Sequence, residues 1–273
     1  MSVMHRGRRP AVPSFPSINP SDTAWITTDQ MREVDRRMID VIGIELLQMM
    51  ENAGRSLARV ALATFDPARA VVLAGTGGNG GGGLAAARHL VNAGTAVSVV
   101  LTRSPDHLRP VPRRQYEALR AMGVPVGPAA DLDPNDLVGA DLLIDAIIGY
   151  SLTGPPTGGA AHLIEAANGI DTPVLSLDTP SGLDVTTGRA SGPVVGADAT
   201  LTLALPKVGL RAADGRGSRP RVGALYLADI SVPEAVYHEL SIAPVPSFRP
   251  GPILRIDPSD PGPGPQTTPE HGE

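Results

Sequence analysis

Apolar positions along the chain fall into two periodicities, and their alternation predicts the architecture. From Thr28-Asp29-Gln30, which has the composition of a helix start, Met31, Val34, Asp35 and Met38 follow at helical spacing. After Gly43 a second helix is predicted from about Ile44 to Thr64, with Leu46, Leu47, Met50, Leu57 and Val60 on its apolar face and Pro67 closing it. Six short β-rich runs come next: Ala70–Gly75, Ala96–Leu101, Leu142–Ile147, Pro173–Asp178, Ala199–Ala204 and Ala224–Asp229. Helical stretches are expected between several of them, at about Gly82–Asn92, Val111–Met122 and Ala160–Asn168. Apolar strands alternating with helices predict an α/β fold: a doubly wound, mostly parallel, Rossmann-like sheet with helices on both faces, preceded by two N-terminal helices. Ligands of such sheets bind beyond the carboxyl ends of the strands.

The two ends lack this patterning. Residues 1 to 24 are rich in Pro, Ser and Arg, and residues 243 to 273 hold nine prolines. Such segments bury too little apolar surface to offset the entropy of ordering, so disordered tails are expected over 1–24 and 241–273, flanking a folded unit over 25–240.

Composition narrows the function. Of the 273 residues, 42% are hydrophobic, enough for a sizeable core, yet runs such as Leu142–Ile148 are far too short to span a bilayer. The basic N-terminus has no apolar stretch behind it, as a secretory signal would need. The chain has no cysteine, which excludes disulfides, thiolate metal sites and a cysteine nucleophile, and fits a cytoplasmic location. The net charge of −5, with no basic cluster inside the folded unit, disfavours nucleic-acid binding.

Chemistry concentrates at the strand ends. After the first run, Gly75-Thr76-Gly77-Gly78-Asn79-Gly80-Gly81-Gly82-Gly83-Leu84 leads into a helix, a composition that lets backbone N–H groups approach a phosphate. A Walker loop needs a lysine where Leu84 stands. Gly75, Gly77 and Gly80 satisfy a dinucleotide pattern, but the next run ends at Arg103 rather than at an acid for the ribose. Arg103 would suit a 2′-phosphate, so an NADP-dependent oxidoreductase remains an alternative. Two further runs end in acids, Asp145 and Asp178, the latter followed by Ser181. An acid in an apolar strand is costly to bury unless paired or metal-bound, and oxygen ligands of low total charge suit a hard cation.

Taken together, Met49-Met50-Glu51-Asn52-Ala53-Gly54, the glycine-rich segment Gly75–Leu84 with Ala86–Leu90, Asp145–Gly149, Asp178–Leu183 and Pro206–Leu210 resemble, in order, the motifs of the NAD(P)H-hydrate epimerase (YjeF N-terminal domain) family over residues 26 to 235. The resemblance implies an isomerase of nicotinamide-cofactor repair that interconverts the R and S hydrates of NADH and NADPH. It stands here without a fused dehydratase, so an S-specific dehydratase would be a separate functional partner; homodimers are common in the family. By position it implies a potassium cofactor held by Asn79, Asp145 and Ser181. Substrate contacts would come from Gly78, Asn79, Gly80, Gly81 and Gly82, from Gly149, Tyr150, Ser151, Leu152, Thr153, Gly154 and Pro155, and from Asp178, with Asp178 as the catalytic acid–base. Arg88, His89 and Lys207 match family motifs too, without an assigned chemistry. Two positions depart from the pattern: Gly78 replaces an Asn and Gly82 an Asp. Loss of a hydrogen bond to a charged group costs roughly 1.5–3 kcal/mol, so a weakened epimerase is expected. The competing class is a non-catalytic nucleotide-binding homologue, which should show a degraded acid at 178 or a basic face.

Overall fold

A computed structural model describes residues 15–213 and 221–257. Nine strands form one sheet: β1 (Ser17–Ile18), β2 (Arg69–Ala74), β3 (Ala96–Leu101), β4 (Val126–Pro128), β5 (Leu142–Ala146), β6 (Val174–Leu177), β7 (Ala199–Leu203), β8 (Ala224–Ala228) and β9 (Ile253–Ile256). The helices are α1 (Thr28–Arg37), α2 (Leu46–Thr64), α3 (Gly78–Asn92), α4 (Pro110–Ala121), α5 (Pro134–Val138), α6 (Gly158–Asn168), α7 (Val208–Ala212) and α8 (Glu234–Glu239). Local chemistry sets the helix starts. Thr27 caps α1 in a reciprocal box with Gln30, and at the start of α2 the Gln48 side chain accepts from the Glu45 N–H.

The strand order is β1-β9-β8-β7-β6-β5-β2-β3-β4. From β8 to β4 every pairing is parallel; β9 runs antiparallel to β8, and β1 follows β9. The central strands are buried throughout, and successive side chains alternate between two covered faces. Val72, Ala74, Ile144 and Ala146 face a core with α1 to α4, whereas Val71, Leu73 and Leu143 face Leu163, Ile164 and Ala167 of α6. The chain winds outward from β2 through β3 to β4, then returns to place β5 on the other side of β2. That reversal opens a crevice at the carboxyl ends of β2 and β5.

Two expectations are corrected. The tails reach further into the fold than 1–24 and 241–273 suggested, because Ser17–Ile18 forms an edge strand and Ile253–Ile256 the strand beside it. Residues 1–14 and 258–273 lie outside the described residues. The glycine-rich segment is also not a loop before the helix: α3 begins at Gly78, four residues earlier than the pattern predicted. None of the glycines from Gly75 to Gly83 has a positive φ. Their role is close approach. A Cβ at Gly80 would lie 1.8 Å from the Gly75 carbonyl oxygen, one at Gly83 2.4 Å from the Ala146 Cβ, and one at Gly54 of α2 2.5 Å from the Ala85 Cβ. These glycines seat α3 directly on the sheet and against α2. No helix among the described residues is long and apolar enough to cross a membrane.

Candidate active site

Strands β6 and β7 are each followed by a residue in the left-handed region, Asp178 (φ 67) and Ala204 (φ 62). The two kinks turn the following chain back over the sheet crest and bring Asp178 and Lys207 together. Lys207 is fully buried, and its ammonium donates to Asp178 Oδ1 at 2.5 Å, to the Leu203 carbonyl at 2.8 Å and to Thr202 Oγ1 at 3.3 Å. All three ammonium hydrogens are therefore used, as burial of a charge demands. Asp178, 3% exposed, accepts a second bond at Oδ2 from the Tyr150 N–H at 2.9 Å. Ile26 braces this arrangement: its N–H donates to Pro206 and its carbonyl accepts from Val208, tying the lead into α1 to the lysine turn.

Asp178, Lys207, Asn79, Gly78, Gly82, Gly149, Tyr150 and Ser151 line one cavity of about 320 Å3, together with Asp35, Arg109 and apolar side chains that include Met31, Met49, Met50 and Leu177. Gly149 is glycine for want of space, since a Cβ there would lie 3.0 Å from Asp178 Oδ2 and 3.2 Å from Asn79 Oδ1. The buried amide nitrogen of Asn79 has no hydrogen-bond partner among the described residues, which leaves a donor for a ligand. Tyr150 spans the cavity wall and donates its hydroxyl to Asp35 Oδ2 at 2.5 Å. Burial, with Asp35 beside it, pushes the Tyr150 phenol above its usual range, so it stays protonated.

Behind the cavity lies a second acid. Asp145 is fully buried and accepts from Ser181 Oγ at 2.5 Å, Ser181 N at 2.8 Å, Ser176 Oγ at 2.8 Å and Ile147 N at 3.2 Å. Burial raises its pKa while these four neutral donors oppose the rise. Ser181 Oγ also lies 3.1 Å from the Ile148 carbonyl and accepts from the Ile148 N–H at 2.8 Å, so it fixes the turn that leads to Gly149.

The sequence-derived site residues thus divide. Gly80 and Gly81 are buried in the first turn of α3 and pack, against Gly75 and Met50 respectively, rather than line the cavity. Leu152, Thr153, Gly154 and Pro155 also lie outside the cavity lining, and the last three are solvent-exposed. The chain leaves the crevice at Ser151 on its way to α6. Arg103 is exposed and away from the cavity; the arginine that lines it is Arg109. Arg88 and His89 both bind Glu51, His89 at 2.7 Å, and so clamp α3 to α2. Sequence reasoning missed Asp35 and left Lys207 without a role, although Lys207 is the single lysine of the chain.

The parallel order of the central strands, with helices on both faces and a cavity at the strand reversal, defines a doubly wound α/β domain. More narrowly, residues 46–209 match the family model described as YjeF-related protein N-terminus, and the chain belongs to that family. It is 42% identical over 241 residues to the NAD(P)H-hydrate epimerase of Dehalogenimonas lykanthroporepellens, an alignment covering 86% of this chain and 94% of that protein. The NAD(P)H-hydrate epimerase of Truepera radiovictrix is 38% identical, covering 78% and 92%. The bifunctional NAD(P)H-hydrate repair enzyme Nnr of Hyperthermus butylicus is 44% identical over 73% of this chain, which spans only 38% of that longer protein. Among solved structures, yeast YNL200c shares the fold with a TM-score of 0.69 at 24% identity, over 85% of this chain and 99% of that one.

Proposed function

We propose that this protein is an isomerase, an NAD(P)H-hydrate epimerase that interconverts the R and S hydrates of reduced nicotinamide cofactors. The observation that carries the reading is the buried Asp178, ion-paired with Lys207 at 2.5 Å and turned toward a cavity of nucleotide-binding position. In the hydrate the hydroxyl sits on a carbon bonded to the ring nitrogen. Its departure leaves a cation that the nitrogen lone pair stabilises, and water returning to the other face gives the opposite epimer. Asp178, held as a carboxylate, takes the proton of the incoming water and, in the reverse direction, returns it to the departing oxygen. Lys207 and the Tyr150 amide hold that carboxylate in place, while the apolar wall of Met31, Met49 and Met50 limits competing water. Arg109, beside the glycine-seated start of α3, supplies a cation for the cofactor's phosphates.

The residues present fit a potassium ion. Asp145 is a fully buried carboxylate whose hydrogen bonds come only from neutral groups, and Ser181 and the Ile148 carbonyl add oxygens beside it. No group of three or more His, Asp or Glu residues among those described is arranged for a metal, so the set is one charge plus neutral oxygens, suited to a hard monovalent cation. Asp145, Ser181 and Asn79 would hold it. Bound there, the ion would offset the charge of Asp145 and steady the turn that presents Gly149 and Tyr150.

The absent loop acid tempers the activity. Position 82 lines the cavity, and the 2.8 Å approach of Leu177 Cδ2 to a Cβ built there shows an apolar side chain filling the space an aspartate would need. Incubating the chain with the pure S hydrate and following the R hydrate by chromatography tests the proposal. Conversion above the spontaneous rate supports it, and conversion at that rate rejects it. An S-specific dehydratase would then consume the S form.

A further inference from the structure

Inverting a carbon of a clamped ring needs proton transfer on both ring faces, because the hydroxyl leaves from one and water arrives at the other. Asp178 stands on one side only. Asp35 stands at the far end of Tyr150, whose amide N–H binds Asp178 and whose hydroxyl binds Asp35 Oδ2. The two carboxyl groups are thus separated by the length of a tyrosine and line the same cavity. Sugar hydrolases that invert use two carboxyls roughly 6.5–9.5 Å apart to leave room for a water on the second face.

Among the described residues, Asp35 is held by the Tyr150 hydroxyl alone. It interrupts an otherwise apolar stripe of α1, between the buried Val34 and Met38. The arginines of its own helix are engaged elsewhere: Arg32 with Asp29, Arg36 with Glu33, and Arg37 with Glu33 and Glu239. The Lys207 ammonium is committed to Asp178, Leu203 and Thr202. Among the described residues Asp35 has a single side-chain hydrogen bond, at Oδ2, so Oδ1 is left for a ligand. Burial, the leading influence, lifts its pKa above the usual carboxylate range, which enlarges its protonated fraction. An ion-paired acid and an uncompensated one in the same pocket are suited to opposite halves of one proton transfer.

Resting on the epimerase reading, we propose that Asp35 is the second acid–base catalyst, serving the ring face opposite Asp178. In one direction the Asp35 carboxyl gives its proton to the departing hydroxyl. The C–O bond breaks, water leaves, and the nitrogen lone pair forms a C=N bond. A second water then adds from the Asp178 face: a new C–O bond forms, the electron pair returns to nitrogen, and Asp178 takes the proton. The reverse direction exchanges the two roles, and solvent resets the two carboxyls.

The test uses the full chain with each pure epimer of NADH hydrate in H2 18O, comparing wild type with Asp35→Asn. Chromatography resolves the epimers, mass spectrometry reads the hydroxyl oxygen, and hydrate affinity is titrated in parallel. In the variant, inversion should fall by about 10²–10⁴-fold, the span of general acid–base catalysis. Hydrate affinity should persist, and the epimer whose hydroxyl faces Asp178 should still exchange its oxygen without inverting. Inversion at the wild-type rate overturns the proposal. So does equal loss of inversion and of exchange in both epimers, which would mark Asp35 as a brace for Tyr150. A wild-type chain that fails to speed inversion would instead refute the epimerase reading itself, before Asp35 enters.

Discussion

Replacing Asp178 by Asn probes the buried pair and the chemistry together, and the structure separates the two effects. The substitution keeps the shape but leaves the Lys207 ammonium, fully buried, without a counter-charge. Breaking a buried ion pair from one side costs about 3–5 kcal/mol. For a domain of this size each kcal/mol moves the midpoint about 2–4 °C, so Asp178→Asn should melt ~6–20 °C below wild type. Adding Lys207→Met removes the orphaned charge and should recover most of that loss, since apolar replacement of a buried pair is often neutral. Epimerisation should stay at the spontaneous rate in both variants, because the carboxylate is missing from each. The assay is a double-mutant cycle read by thermal melting and by epimer chromatography. A single Asp178→Asn variant that melts with the wild type, or a double variant no more stable than the single, would refute the pairing. Full activity in either would refute the acid–base role.

Further outcomes follow from other parts of the site. Arg109→Ala should raise KM for the hydrate about tenfold while kcat holds, the mark of lost phosphate binding; a fall in kcat alone would contradict the assignment. Potassium chloride, compared with an organic-cation salt at equal ionic strength, should raise the melting midpoint of the wild type but not of Asp145→Asn; equal responses would remove the cation from the account. Gly80→Ala should destabilise by more than the ~1–3 kcal/mol of ordinary overpacking, because its Cβ would lie 1.8 Å from a backbone oxygen that cannot step aside. Gly78→Asn should be tolerated, since the nearest atom to a Cβ there is the end of Met50 at 3.9 Å. Glu51→Gln should cost about 1 kcal/mol near neutral pH, after solvent screening of this half-exposed cluster. Burial works against ionisation of Glu51, but the His89 hydrogen bond and the Arg88 charge outweigh it and lower its pKa. The lowered pKa places the advantage of wild type above the unfolded value near ~4.3, and the advantage should vanish as pH falls through the folded value. An advantage that grew on acidification would contradict that sign.

Much of the fold was legible because the parallel strands are buried on both faces and read as apolar runs bounded by glycine and proline. All six runs became strands to within a residue or two. What escaped was the short: the two-residue β1 at the sheet edge, and the four-residue β9, buried but set among prolines and too brief to mark a strand by pattern. Asp145, Asp178 and Ser181 could be found as polar groups at the ends of apolar runs. Lys207 could have been singled out by its uniqueness and by the strand ending just before it, but its partner lies 29 residues away. Asp35 was hidden by its own helix, since its position on the apolar stripe reads as packing until Tyr150 is seen to reach it. From Leu152 to Pro155 the motif continues past the point where the chain leaves the cavity lining.

The most direct measurement couples this chain to an S-specific NAD(P)H-hydrate dehydratase, with the pure R hydrate as the only substrate and reduced cofactor followed by its near-ultraviolet absorbance. Wild-type protein should restore the cofactor well above the spontaneous rate, faster with potassium than without, and Asp178→Asn should not. Recovery at the spontaneous rate with wild-type protein would contradict the account at its root.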